Sequence, residues 1–379
     1  MDIVELQHIY AGHPNAKALA AEWENPSVRT VFLGGLHTSA SPLFFSALVK
    51  EQSHTFVFIL SDLEEAGYFY HDLVQINGDA EVLMFPSSYR RAIKYGQKDA
   101  AYEILRTEVL SRLQKQEKVC IVTYPDALAE KVVSQKDLAG NTLQVEVGQC
   151  IGTDVLVDRL LDDGFQQVDY VYEPGQFALR GSIVDVFSFA SEYPYRIDFF
   201  GDEVDSVRTF EVETQLSKEK KQSVSIIPEL TAMEGGEYVS FFDFLPQDTI
   251  LGMKDFLWIR ERIETIHGEA VSPLAVAADA EREAELSDIG NHLIDGTDFT
   301  QKALEFRRME FGNMPTGIPQ AKLMFNVEAQ PIFHKNFDLV GACLQDFQGK
   351  GYEIYICTDS EKQAKRLKDI FEERGDNVQ

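Results

Sequence analysis

VRTVFLGGLHTSASPLFFSALVKEQSHTFVFIL, residues Val28–Leu60, sets the architecture of the chain. Val28–Leu33 is an apolar, β-branched run that ends at Gly34-Gly35, and Leu43–Lys50 has helical character. His54–Leu60 is a second strand. Outward from there the rhythm continues. Asp62 is placed to cap a helix through Ile76, with Glu64 and Glu65 in its first turns, where carboxylates complement the helix dipole. Glu81–Phe85 reads as strand, Lys98–Lys115 as helix, Lys118–Thr123 as strand, and Pro125–Val133 as a short helix with proline in its first turn. Residues 1–20 read as one short helix. Strands alternating with helices predict a parallel sheet with helices on its faces.

A strand that ends in Gly-Gly and enters a helix is where a phosphate-binding loop would sit. That loop needs a lysine to reach the β- and γ-phosphates and a Ser or Thr for Mg²⁺. Counted from Gly35, the glycine, lysine and hydroxyl positions hold Ala40, Ser41 and Pro42; counted from Gly34, they hold Ser39, Ala40 and Ser41. The lysine is missing either way, and Pro42 removes a backbone donor. The nearest candidate for an acidic strand end, Ile250–Asp255, reads ILGMKD. The stretch Gly34, Gly35, Ala40, Ser41 is therefore a degenerate phosphate loop, expected to bind no nucleotide.

Composition narrows the function classes. The 379 residues carry 62 acidic against 35 basic side chains, a net charge of −27, which repels a polyanion and favours basic protein partners over autonomous DNA binding. No stretch of about 18 apolar residues is present to span a membrane. Met1–Glu5 has no basic leader, so a cytoplasmic protein is expected. Cys120, Cys150, Cys343 and Cys357 are scattered without metal spacing, and three lie in apolar or strand-like surroundings that suit a buried thiol.

From Leu143 the pattern changes. Asp154–Asp163 is a helix closed by Gly164. The runs Val168–Tyr172, Gln176–Phe189, Tyr195–Phe200 and Glu203–Phe210 then follow as strands in close succession, the sign of an antiparallel meander. Lys218-Glu219-Lys220-Lys221 reads as a polar connection. Beyond it Thr249–Met253 is strand, Phe256–His267 helix, and 275–288 and 298–311 polar helical stretches before the loop Gly312–Pro319. Asn336–Phe347 reads as helix, Tyr352–Cys357 as strand and Ser360–Glu373 as helix. The expected architecture is an α/β domain with a degenerate, P-loop-like parallel sheet built from two segments, 1–140 and 217–379. An α+β domain at 141–216 with an antiparallel sheet is inserted between them. The chain is expected to be a piece of a longer protein, because it stops where the rhythm asks for another strand.

Alternation within the meander sorts the side chains. Tyr195, Ile197 and Phe199 form a core face; Arg196, Asp198 and Phe200 point the other way, as do Ala178 and Arg180 on the preceding run. If the two strands pair, Arg180, Arg196 and Phe200 form one exposed patch, of the residue types that dominate interface hot spots. The alternative is a second face covered by the helix Asp154–Asp163, with Arg196 and Asp198 paired locally.

The stretch Gly164–Ser217 settles a resemblance. It contains GF-x-x-VD, E-x-G-x-F-A-x-RG, the block SE-x-PYRIDFF-x-DEVDSVR-x-F and a trailing TQ. In these motifs it resembles the N-terminal UvrB-homology module of bacterial transcription-repair coupling factors, in which the UvrB fold persists without ATP binding. The resemblance covers most of residues 1–270 and, more loosely, 325–379. It implies that Arg180, Arg196 and Phe200 contact UvrA, bringing the excision-repair machinery to RNA polymerase stalled at damage. It also implies that polymerase binding and an ATP- and Mg-dependent DNA translocase belong to further domains, one of which masks the UvrA surface. This chain itself is expected to be no enzyme and to need no cofactor. The rival readings are an active ATP-dependent helicase or UvrB-type damage verifier, and a DNA-binding module. Asp162-Asp163 and Asp202-Glu203 lie at predicted turns and read as turn chemistry, and His334 as a loop or capping position. Ser87-Ser88 with Arg90, Arg91 and Lys94 is a local basic cluster, either a solvated loop or a contact for another domain.

Overall fold

The structure, a computed structural model, describes residues 3–51, 54–78, 81–88, 100–230, 236–270, 292–312 and, apart from positions 313, 329, 335 and 359, those through 375. Seven strands form a fully parallel sheet: β1 (Thr30–Gly34), β2 (Phe56–Ile59), β3 (Val82–Met84), β4 (Cys120–Thr123), β15 (Ile250–Lys254), β16 (Arg307–Gly312) and β17 (Ala321–Met324). Their order is β17-β1-β16-β15-β2-β4-β3, so the late segment threads its strands among the early ones. The first four strands are buried along their whole length. Helices supply the covering layers, among them α3 (Ala40–Glu51), α4 (Leu63–Asn77), α5 (Ala100–Gln114) and α9 (Phe256–Ala270). Asp62 caps α4, accepting the Glu65 N–H at 3.0 Å. A run of phenylalanines, Phe44, Phe45, Phe56, Phe58 and Phe311, fills the space between helix and sheet.

Between β4 and β15 the chain builds a second sheet, ordered β12-β11-β10-β9-β8-β7 and antiparallel apart from the short β7. Its strands are β7 (Gln166–Gln167), β8 (Gln176–Arg180), β9 (Ile183–Val186), β10 (Tyr195–Phe200), β11 (Glu203–Phe210) and β12 (Ser217–Lys221). A two-stranded ladder of β6 (Leu143–Glu146) with β13 (Ser223–Ile226) brings the two ends of this insertion together. Helix α8 (Thr153–Asp162) lays Leu156 and Leu160 on the face made by Phe177, Val184, Ile197 and Phe199, as the alternation requires.

Several sequence expectations are corrected. In place of one helix over 1–20, the described residues form two, α1 (Ile3–Ala11) and α2 (Pro14–Glu24), because Gly12-His13-Pro14 breaks the run and His13 caps the second through the Asn15 N–H. The helix at Pro125, α6 (Pro125–Ala129), stops at Ala129; β5 (Val132–Val133), just before α7 (Gln135–Gly140), pairs with β14 (Tyr238–Val239). Val168–Tyr172 is a loop rather than a strand. Lys218–Lys221 is no connection: it lies within β12 and pairs with β11. The stretch 298–311 is split between a helix, α10 (Gly296–Leu304), and β16.

That last strand is RRMEFG, which looks too polar for the middle of a sheet. Specific partners hydrogen-bond its polar side chains: Arg307 donates to the Trp23 carbonyl (2.7 Å), Arg308 to Thr30 Oγ1 (2.8 Å), and Glu310 accepts the Thr316 N–H (2.7 Å). Of the cysteines only Cys120 is buried; Cys150 and Cys357 are exposed. Cys120 sits in the sheet, where burial pushes its thiol far above the ordinary range. The stretch 275–288, Arg90, Arg91 and Lys94 lie outside the described residues. Ser87 and Ser88 are described and buried; both bind the carboxylate of Glu130, which also meets Arg106 at 3.3 Å.

Residues 328–375 form a separate compact unit. Its helices α11 (Phe337–Gly349) and α12 (Glu361–Glu373) pack Phe337 on Phe371, and Asn336 caps the first through the Asp338 and Leu339 N–H groups. Tyr352–Cys357 is not a strand: a strand needs a ladder partner, and none among the described residues pairs with it.

Candidate partner-docking site

The first candidate is the loop after β1. Gly35 has φ 76°, and a Cβ there would collide with the carbonyl oxygen of Phe325, which follows β17 and returns its N–H to the Gly34 carbonyl at 2.8 Å. Chain therefore passes directly over the turn. A cleft of about 610 Å³ opens beside it at the carboxyl ends of the strands, where parallel sheets place ligands. Its lining includes Glu65, Asp72 and Asp255, and its lysine, Lys254, is ion-paired with Glu65. Ser41 is buried and Ala40 begins α3 without a neighbouring lysine. β16 separates β1 from β15, and the end of ILGMKD, Lys254 and Asp255, lines the same cleft as the loop after β1. The cleft thus holds three carboxylates and a lysine already paired with one of them. Gly35→Ala combines a left-handed φ with a blocked Cβ. It should lower the stability of the chain by at least about 1 kcal/mol, read as a reduced urea midpoint.

The second candidate is the open face of the antiparallel sheet. β8 and β10 do not pair with each other; β9 lies between them. The register sets Ala178 opposite Asp185 and Asp185 opposite Arg196, while Arg180 and Asp198 both face Ile183. Side chains directly opposite share a face, so Arg180, Asp185, Arg196 and Asp198 stand together on the side that α8 does not cover.

Asp185 is the hub. Its side chain is 1% exposed and accepts from both arginines. Arg196 donates Nε–H to Oδ1 at 2.7 Å and Nη2–H to Oδ2 at 2.9 Å, the two-pronged geometry that makes such pairs strong. Arg180 donates Nη2–H to Oδ2. Arg196 also reaches the Gln215 carbonyl (3.3 Å) and Oε1 (3.2 Å) and lies over the Phe210 ring at 4.2 Å. Only 13% of its side chain is exposed, against 35% for Arg180. The hydrogen bond to Asp185 raises the Arg196 pKa further above its already high value.

Phe200, at the end of β10, is 83% exposed. It stands before Gly201 (φ 65°), just past a shift in the β10–β11 register. The expected exposed patch is corrected at Arg196, which is largely buried and paired within the domain, while the particular helix and pair of the local alternative are not the ones found. Helix α8 covers the opposite face, and Asp198 pairs with Arg208 at 2.6 Å instead of with Arg196. Arg196, Arg208 and Lys220 fall in one row across β10, β11 and β12, with Arg196 and Arg208 paired to Asp185 and Asp198 on the same face.

Sequence reading missed Asp185, Gln215 and Phe210. The signal for Asp185 was available: one carboxylate inside the apolar run IVDVF has to be paired if the run is buried. The acidic doublets carry turns and local pairs: Asp163 binds Arg159 at 2.9 Å, and the Asp202 carbonyl accepts the Ile151 and Gly152 N–H groups. Among the described residues no cluster of His, Cys, Asp and Glu is arranged to hold a metal ion, and no helix is long and apolar enough to cross a membrane.

Comparison with known proteins picks out the same region. Residues 143–231 match the family model of the UvrB interaction domain, beginning at β6 and ending just beyond β13. The transcription-repair-coupling factor of Bacillus subtilis is 31% identical over 196 residues, which is 52% of this chain and 17% of that protein. Those of Escherichia coli (27% over 198 residues) and Haemophilus influenzae (28% over 198 residues) match over the same shares. The chain thus spans about a sixth of the length of these curated relatives. The inserted domain is thus similar to the UvrB interaction domain, in a chain that over about half its length is similar to transcription-repair-coupling factors.

Proposed function

We propose that this chain is a non-catalytic adaptor that recruits UvrA in transcription-coupled nucleotide excision repair, using the face that carries Arg180, Arg196 and Phe200. The observation that carries the reading is the exposed Phe200 ring, displayed beside a rigid Arg–Asp–Arg triad on a sheet face that the domain's own helix leaves open. A large ring held in water on an ordered strand end contributes nothing to its own core and suits the centre of an interface. RNA polymerase, DNA, ATP and Mg are assigned to other domains of a longer protein. The test is a pull-down and titration of purified UvrA against this chain. Saturable binding supports the reading, and no binding at micromolar concentration rejects it.

The rival enzyme reading is weakened by the missing lysine, by the Phe325 carbonyl over Gly35 and by the carboxylates of the adjoining cleft. Isothermal titration with ATP and Mg²⁺ should therefore give no saturable heat up to millimolar nucleotide. Micromolar binding would overturn this part of the proposal.

A further inference from the structure

The loop between β7 and β8 holds two rings outside the domain. Tyr170 and Tyr172 are each more than half exposed, while Val171 between them is buried with Ala178, Phe187 and Phe210. The loop is pinned on both sides of that anchor. The Val168 N–H donates to the Phe177 carbonyl at 2.9 Å, and the Tyr172 and Glu173 N–H groups donate to Gln176 Oε1 at 2.9 and 3.2 Å. The rings are thus presented on fixed backbone, and a tyrosine with two side-chain torsions offers large contact area at small entropic cost. Tyr170 is also coupled to the site already described: the Arg180 guanidinium lies over its ring, 5.2 Å from the centroid. Arg180 spends one N–H on Asp185, and its other N–H groups make no hydrogen bond within the described residues. Phe200 lies two strands away, roughly 10 Å across the sheet.

We propose that Tyr170 and Tyr172 extend the docking face, so that one protein partner covers a continuous row from Tyr172 through Tyr170 and Arg180 to Phe200. The proposal rests on the UvrA reading and gives the contact its chemistry. The partner surface lays apolar side chains on the phenol rings and places an acceptor, a carboxylate or a carbonyl, against the unused Arg180 donors. An acidic rather than a basic patch suits Arg180, which shares Asp185 with Arg196, and Lys220 on the edge strand; Arg196 and Arg208 are already paired with Asp185 and Asp198.

The experiment measures UvrA affinity of the full chain as parent, Phe200→Ala, Tyr170→Ala, Tyr170→Phe and Tyr172→Ala, with thermal unfolding of each. Tyr170→Ala and Tyr172→Ala should each weaken binding about tenfold, within the range of interface aromatics, with melting temperatures unchanged. Tyr170→Phe, which keeps the ring under Arg180, should bind like the parent. Tyr170→Ala combined with Arg180→Ala should cost less than the two single changes together, as coupled contacts do. If both tyrosine-to-alanine variants bind like the parent while Phe200→Ala is weakened, the extension is wrong and the UvrA reading stands. If Phe200→Ala is also unaffected, or the parent does not bind, both fall.

Discussion

Asp185→Ala is expected to cost about 3–5 kcal/mol of folding stability, the range for removing one partner of a buried ion pair. The reason lies in what remains after the change rather than in the bonds lost. Arg196 is covered by Phe210 and by the Gln215 backbone, so its guanidinium cannot turn to water when its carboxylate is gone. The arginine stays charged, so the protein must either bury an unpaired cation or open the β9–β10 ladder. Urea unfolding followed by circular dichroism gives the loss, and amide exchange should place it in β8–β11. A second variant separates charge from shape. Asp185→Leu with Arg196→Met removes both charges for apolar groups of similar size and should recover much of the loss, because such replacements are often close to neutral. A single Asp185→Ala variant within about 1 kcal/mol of the parent would show that the hub is no linchpin.

The same hub explains how much of the molecule its sequence disclosed. The parallel sheet was legible because β1, β2 and β4 are continuous apolar runs separated by helices with ordinary signals, such as Asp62 at its cap. β16 was not, since the groups that hydrogen-bond Arg307, Arg308 and Glu310 come from Trp23, Thr30 and Thr316, and Trp23 and Thr30 are far away in the chain. β12 was hidden for a related reason. It is an edge strand, and edges carry lysines that read as a linker while discouraging further pairing.

At the site, period-two alternation assigned Arg196, Asp198 and Phe200 to one face correctly. It could not supply the intervening β9, so it offered only an exposed patch or a local pair, whereas the ion pairs run across strands: Arg196 to Asp185 and Asp198 to Arg208. Tyr170 escaped because Val168–Tyr172 alternates like a strand while its backbone is a loop pinned by Gln176.

Phe200→Ala is expected to weaken UvrA binding by about 2 kcal/mol, roughly thirtyfold, while leaving the domain as stable as the parent. Both halves follow from an exposure of 83%: truncating such a ring removes no core contact, and surface changes of this kind usually stay within about 0.5 kcal/mol. Arg196→Ala is a poorer probe than its place in the sequence motif suggests. From alternation alone it should disturb binding without disturbing the fold, but the structure makes it the main ligand of a buried carboxylate. Its loss would strand Asp185 and should lower stability and affinity together, so weaker binding by that variant cannot be assigned to the interface. Phe200 carries no such ambiguity, and Phe200→Leu should fall between parent and alanine if buried apolar area is what the partner gains. Titration calorimetry with UvrA, alongside thermal melts, reads all three. Unchanged affinity of Phe200→Ala at unchanged melting temperature would remove the face from consideration as the UvrA site, whatever Arg196→Ala does.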